Sequence, residues 1–238
     1  MKLEVVSTVE EIRSDQINNR TVIVIDVLRA STTIVTALAN GFPSVIPVET
    51  IGQANLLKGS RTILVGERHC KKIADFDYNN SPTALCQAEK KDADVILTTT
   101  NGTRAIQKAE RAQSLLIGCF LNATACIRHA LSFHQDITLF CAGTRQEFAL
   151  EDGLAAGLMA HLAKRITPAL QTNDLAELMH LAYLQTAPSL AKCLRTTTTG
   201  KRLVQHNFTN DIDFCAQVDH YQLVPIVKEG RILPYLVS

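Results

Sequence analysis

The chain reads as an α/β protein: a mostly parallel sheet with helices on both faces and a mainly helical C-terminal part. Three observations predict this. Short β-branched runs alternate with helix-like stretches six times before residue 165. The runs are apolar at consecutive positions, as in strands buried on both faces. Across 238 residues, 46% hydrophobic against 20% charged side chains supply enough apolar surface for a full core.

The elements follow in order. VIVIDV (Val22–Val27) is the first expected strand, and Ser31–Gly41 is the helix after it, closed by Gly41. SVIPV (Ser44–Val48) precedes a helical stretch through Lys58, and RTILVG (Arg61–Gly66) precedes a loop and the segment Thr83–Lys90. DVILTTT (Asp94–Thr100) leads to Thr103–Ala109, SLLIG (Ser114–Gly118) to Asn122–Leu131, and DITLFCAG (Asp136–Gly143) to a long helix over Leu150–Lys164. Repeated strand-then-helix units build a three-layer α/β/α arrangement. Beyond Lys164 the texture changes. Asn173–Gln185, Pro188–Leu194 and Asp211–Val218 read as helical, while QLVPIV (Gln222–Val227) and RILPYLV (Arg231–Val237) read as a hairpin turning at Glu229-Gly230. Residues 1–165 are thus expected to hold the sheet and most site loops. Residues 166–238 are expected to form a mainly helical region, either a cover for the sheet or a second lobe of the same compact unit. TTTNGTR (Thr98–Arg104) resembles TTTTGKR (Thr196–Arg202), the one hint of internal duplication.

Composition narrows the partners. A formal net charge of +1, no Trp and 5% aromatic residues give no general attraction for nucleic acid or anionic lipid and little surface for stacking bases. The opening MKLEVVSTVEEIRSD lacks the apolar run of a secretory signal. No apolar segment approaches the roughly 18–20 residues that span a bilayer. No membrane partner and a cytoplasmic location are expected. Seven dispersed cysteines without a C-x-x-C pair fit buried, reduced thiols. The phosphate-binding G-x-x-x-x-G-K-[ST], the dinucleotide G-x-G-x-x-G, the zinc H-E-x-x-H and the C-x5-R loop of cysteine phosphatases are all absent. Asp26 is not followed by the second acid of D-x-D-x-T.

Ligands of open parallel sheets bind beyond the carboxyl ends of the strands, and polar residues collect there. Asp26, Arg29, Ser31, Thr32 and Thr33 follow the first strand, and Glu67, Arg68, Asn80 and Ser81 follow the third. Thr100, Asn101, Gly102, Thr103 and Arg104 follow the fourth, and Arg145, Glu151 and Asp152 the sixth. ASTT and TNGT place hydroxyls and free backbone N–H groups at helix starts, where an anion is favoured, and Arg29 and Arg104 add a planar donor beside each. The carboxylates Asp26, Glu67, Glu151 and Asp152 are the oxygen ligands that Mg²⁺ prefers. Asp26, Arg29, Glu67 and Asp152 are the expected catalytic set. Whether Asp26 would attack phosphorus or bind metal while water attacks is left open by the residues. So is a second class of reading, a binding module for an anionic metabolite without turnover.

Read together, IDVLRASTTIVTALANG (Ile25–Gly41), VGER (Val65–Arg68), NNSP (Asn79–Pro82), TTTNGTRA (Thr98–Ala105), CAG (Cys141–Gly143), LEDGLAAG (Leu150–Gly157) and DIDFCAQVD (Asp211–Asp219) resemble the 2-phosphosulfolactate phosphatase family. The resemblance implies an α/β/α fold and Mg²⁺-dependent hydrolysis of (R)-2-phospho-3-sulfolactate to 3-sulfolactate and phosphate, a step toward coenzyme M in methanogens. Another small phosphorylated acid is the alternative substrate, because no residue by itself selects a sulfonate. The sequence departs from the family pattern at His69, Cys70, Lys71 and Lys72, where glycines are usual, at Asp75, where a glycine is common, and at Thr199, where a histidine is usual. A substrate of nearly four negative charges calls for clustered cations. Arg29, Arg68, Arg104 and Arg145, with Lys71 or Lys72, are the available donors. The apolar C-terminal third is expected to cover its own sheet or a partner subunit, as in a homodimer.

Overall fold

Five consecutive β-branched residues, Thr21–Ile25, form a strand that is buried throughout. Its side chains divide by parity: Ile23 and Ile25 enter one core cluster, Val22 and Val24 another. A strand packed on both faces imposes this alternation. The computed structural model describes residues 1–89 and 91–236. The expected ends of the Thr83–Lys90 and Arg231–Val237 segments, Lys90 and Val237, lie outside the described residues.

In chain order the strands are β1 (Lys2–Val6), β2 (Thr21–Ile25), β3 (Val45–Val48), β4 (Thr62–Arg68), β5 (Lys71–Lys72), β6 (Asp94–Thr98), β7 (Ser114–Gly118), β8 (Ile137–Cys141), β9 (Gln171–Thr172), β10 (Leu223–Lys228) and β11 (Arg231–Leu236). The helices are α1 (Ala30–Ala39), α2 (Ile51–Leu56), α3 (Pro82–Cys86), α4 (Gly102–Lys108), α5 (Ala123–Ser132), α6 (Leu150–Ile166), α7 (Asp174–Thr186), α8 (Leu190–Thr196), α9 (Thr198–Gln205) and α10 (Thr209–Cys215). The described residues form an eleven-stranded sheet in the order β5-β4-β6-β3-β11-β10-β7-β2-β8-β1-β9.

Most neighbours run parallel, as the repeated strand-then-helix units predict. β4, β6 and β3 form one parallel set, and β7, β2, β8, β1 and β9 another. The β10–β11 hairpin lies antiparallel between them, held to each set through one register pair, Ile226 with Leu116 and Ile232 with Val45. Its turn falls at Glu229-Gly230 with φ of +50° and +73°. Two positive φ values make the primed turn whose twist matches the flanking strands.

Helices cover both faces. Ile34 and Leu38 of α1, Leu85 of α3 and Ile106 of α4 pack into the cluster that holds Val22 and Val24. Residues of α5 through α10, among them Leu154, Met179, Leu194, Leu203 and Ile212, pack into the cluster that holds Ile23 and Ile25. These layers are the expected three-layer α/β/α arrangement, with the C-terminal helices stacked on one side. All seven cysteines are free thiols. Among the described residues no helix is long and apolar enough to cross a membrane.

Candidate active site

β2, β4, β6 and β8 lead into one cavity. Its lining takes Asp26, Arg29, Glu67, Asn80, Thr100, Asn101, Arg145, Glu151 and Asp152 from the residues singled out in the sequence. It also takes His69 and Cys70 from the turn after β4, Thr144 from the loop after β8, and Thr199 and Arg202 from α9.

One wall is acidic. Asp26, the first residue past β2, is buried, and its Oδ1 accepts the Ala30 N–H at 3.2 Å. A Cβ on Gly102 would stand 2.7 Å from Asp26 Oδ2 and 2.5 Å from the Ala30 Cβ, so only glycine lets α4 start this close to the carboxylate. Glu151 and Asp152, in the first turn of α6, are each 2% exposed. Asp152 ties two strand ends together: Oδ1 accepts the Val27 N–H at 2.8 Å and Oδ2 the Gly143 N–H at 3.1 Å. Glu67 faces them, accepting from the Cys70 N–H at 2.8 Å and the Thr100 hydroxyl at 3.0 Å.

This crowding has an electrostatic cost. Burial raises the Asp26 carboxyl to about 7, the Ala30 N–H opposes the rise, and the charges of Glu67 and Glu151 add to it. Asp152 is pushed well above the ordinary carboxylate range by burial and then by the charges of Asp26 and Glu151. Buried carboxylates that repel one another are stabilised by a cation. Among the described residues, no three His, Cys, Asp or Glu side chains form a ready metal cage. A hard cation such as Mg²⁺ does not need one. It binds through one or two carboxylates and fills the remaining positions with waters and phosphate oxygens, so the oxygen donors present fit it.

Arginines form the other charged part of the lining. Arg29 is 3% exposed and fixed from three sides: Nη1 donates to Asp211 Oδ2 at 2.6 Å, Nη2 to Asn79 Oδ1 at 3.3 Å, and the guanidinium lies 4.3 Å from the centre of the Phe208 ring. Asp211 of α10 also accepts the Ser81 hydroxyl at 2.9 Å and the Thr83 hydroxyl at 2.5 Å. Arg202 donates from Nη2 to the Thr144 hydroxyl at 2.7 Å and has no acidic partner among the described residues. Neither Asp211 nor Arg202 belongs to the site expected from the sequence. The DIDFC run contained Asp211, and a buried aspartate always raises the question of its partner.

Several expected site residues lie outside the cavity lining, for readable reasons. Ser31 Oγ accepts the Asp26 N–H and donates to Val24 O, and the Thr32 hydroxyl donates to Val27 O, so both serve the backbone of the loop rather than a ligand. Thr33 is buried with its hydroxyl unpartnered. Thr103 donates to Thr99 O. Ser81 caps α3 and joins Asp211. Gly102 forms the floor beneath Asp26. Arg68 turns back to the carbonyls of Glu67 and Glu49, each at 2.9 Å, and Arg104 reaches the exposed Glu10 at 3.3 Å. Lys71 and Lys72 are exposed in β5. Asp75 adopts φ +64°, a left-handed conformation that aspartate tolerates better than most side chains.

A profile of the family described as 2-phosphosulpholactate phosphatase matches residues 6–230. A protein of Caldanaerobacter subterraneus subsp. tengcongensis is 35% identical over 236 residues, covering 98% of both chains. One of Thermotoga maritima is 39% identical over 214 residues, 89% of this chain and 90% of its own. One of Clostridium acetobutylicum is 34% identical over 237 residues, 98% of this chain and 100% of its own. All three carry the name "Probable 2-phosphosulfolactate phosphatase". With matches that span nearly its whole length, this chain belongs to the 2-phosphosulfolactate phosphatase family.

Proposed function

We propose that the chain is a Mg²⁺-dependent phosphoric monoester hydrolase that converts (R)-2-phospho-3-sulfolactate and water to 3-sulfolactate and inorganic phosphate. The observation that carries this reading is a single cavity lined both by mutually repelling buried carboxylates and by guanidinium groups. A multiply charged phosphate ester together with a divalent cation satisfies both sets of charges at once.

Asp26 with one of Glu151 and Glu67 would hold the ion. Asp152 keeps both oxygens on backbone N–H groups and so sets the spacing of the loops. Bound there, Mg²⁺ supplies neutralisation of the phosphoryl oxygens. Arg29 presents a guanidinium already immobilised by Asp211 and Phe208, which stabilises charge in the transition state without reorganising. The water oxygen bonds to phosphorus as the ester P–O bond breaks, and one water proton ends on the sulfolactate hydroxyl.

Phosphate release from (R)-2-phospho-3-sulfolactate, with Mg²⁺ and after chelation, tests the reading. Release that requires Mg²⁺ is expected. Intact ester in the presence of Mg²⁺, with 3-sulfolactate still bound by calorimetry, would make the chain a binding protein and overturn it.

A further inference from the structure

Not all the arginines of the cavity are in the same state. Arg29 is neutralised by Asp211 at 2.6 Å and is almost fully buried. Arg145 and Arg202 have no acidic partner among the described residues, yet both line the cavity. They arrive from different elements, Arg145 from the loop after β8 at φ +52° and Arg202 from α9. Arg29, Arg145 and Arg202 line the same cavity.

Arg202 is held ready at that cavity. Its Nε donates to Thr198 O at 3.3 Å and its Nη2 to the Thr144 hydroxyl at 2.7 Å and the Thr199 hydroxyl at 3.4 Å. These bonds orient the head group and leave Nη1 without a partner among the described residues. Two uncompensated guanidinium groups from separate elements suit a three-oxygen, tetrahedral anion approached from two sides. A planar carboxylate is better served by a single bidentate fork.

Resting on the phosphatase reading above, we infer that Arg202 and Arg145 form the subsite for the non-reacting sulfonate of the substrate, with Thr144 positioning Arg202, and that Arg202 sets specificity for a sulfonated ester.

The test compares kcat/KM for three esters in wild type, Arg202→Ala, Arg202→Lys and Thr144→Val, with thermal unfolding as a check on folding. The esters are (R)-2-phospho-3-sulfolactate, 2-phospholactate, which lacks the sulfonate, and 2-phosphooxyethanesulfonate, which lacks the carboxylate. Losing a charge-assisted hydrogen bond should shrink the wild-type preference for the full substrate over 2-phospholactate by roughly 10- to 100-fold in Arg202→Ala. Arg202→Lys should restore part of it, and Thr144→Val should lower it less, through KM rather than kcat. The preference over 2-phosphooxyethanesulfonate should survive. An unchanged sulfonate preference in Arg202→Ala, or loss of the carboxylate preference instead, overturns the assignment. If Arg202→Ala does not fold, an unchanged sulfonate preference in Thr144→Val overturns it equally. Wild type inactive on all three esters contradicts the phosphatase reading itself, so the two failures are distinguishable.

Discussion

Thr98–Arg104 runs from the end of β6 into α4, and Thr196–Arg202 runs from the end of α8 into α9. The two segments are nearly alike in sequence and both reach the cavity, through Thr100 and Asn101 in one and Thr199 and Arg202 in the other. Their arginines part ways: Arg104 meets Glu10 at the surface, whereas Arg202 enters the cavity. The helices that carry them pack on different faces of the sheet: Ala105 and Ile106 of α4 join the cluster that holds Val22 and Val24, and Leu203 of α9 joins the cluster that holds Ile23 and Ile25. Their glycines differ too. Gly102 makes room for the Asp26 carboxylate, whereas a Cβ on Gly200 would stand 1.8 Å from the Leu194 carbonyl oxygen and so break the joint between α8 and α9. A strand-to-helix turn and a helix-to-helix turn have reached similar wording for different reasons.

The largest expected effect lies where the first run meets Asp26. Asp26→Asn should lower phosphate release by roughly 100- to 1,000-fold, the scale of losing one preorganised charge at a reacting centre, as read in a steady-state assay with saturating Mg²⁺. Gly102→Ala and Gly200→Ala then separate the two turns. The first should cost roughly 10- to 100-fold in kcat/KM, because it displaces the Asp26 carboxylate. The second should cost about 1–3 kcal/mol in denaturant unfolding, as overpacking against backbone does. Equal activity losses at equal stability would erase the distinction.

A smaller effect follows from Asp26 in metal-free protein. Its folded pKa of about 7 exceeds the unfolded value near 4, so the folded state keeps a proton that the unfolded chain releases between those limits. Its favourable contribution is therefore present below about pH 4 and lost as pH rises through about 7. The melting temperature of wild type minus that of Asp26→Asn, measured in chelator, should fall across that window, and a flat difference would show that burial does not raise this carboxyl. The smallest effect is Arg104→Ala. Its ion pair is exposed at 44% and 36%, worth about 0–1 kcal/mol, and kcat/KM should stay within about twofold of wild type.

Much of this architecture is legible in local sequence. Continuous β-branched burial marks β2, and the positive-φ pair Glu229-Gly230 marks the hairpin turn. The acids after β2 and β8 and at the end of β4 point to the cavity because strand ends converge there. The rest depends on contacts made far along the chain. The short run KLEVV, which forms β1, is stabilised by pairing with β8, far along the chain. The hairpin's place in mid-sheet rests on two single register pairs. Hydroxyls of Ser31 and Thr32 read as ligand donors until the loop backbone takes them. Arg202 follows a threonine-rich run in which no apolar periodicity announces a helix. Asp211 gains its meaning only across 182 positions, from Arg29.

The most direct test is phosphate release from (R)-2-phospho-3-sulfolactate measured side by side for wild type, Arg104→Ala, Arg202→Ala and Asp26→Asn in Mg²⁺. A cavity lined by both carboxylates and guanidinium groups predicts that wild type and Arg104→Ala are equal, that Arg202→Ala is slower, and that Asp26→Asn is slowest. A wild-type rate in Asp26→Asn, or an Arg104→Ala enzyme as impaired as Arg202→Ala, would contradict it.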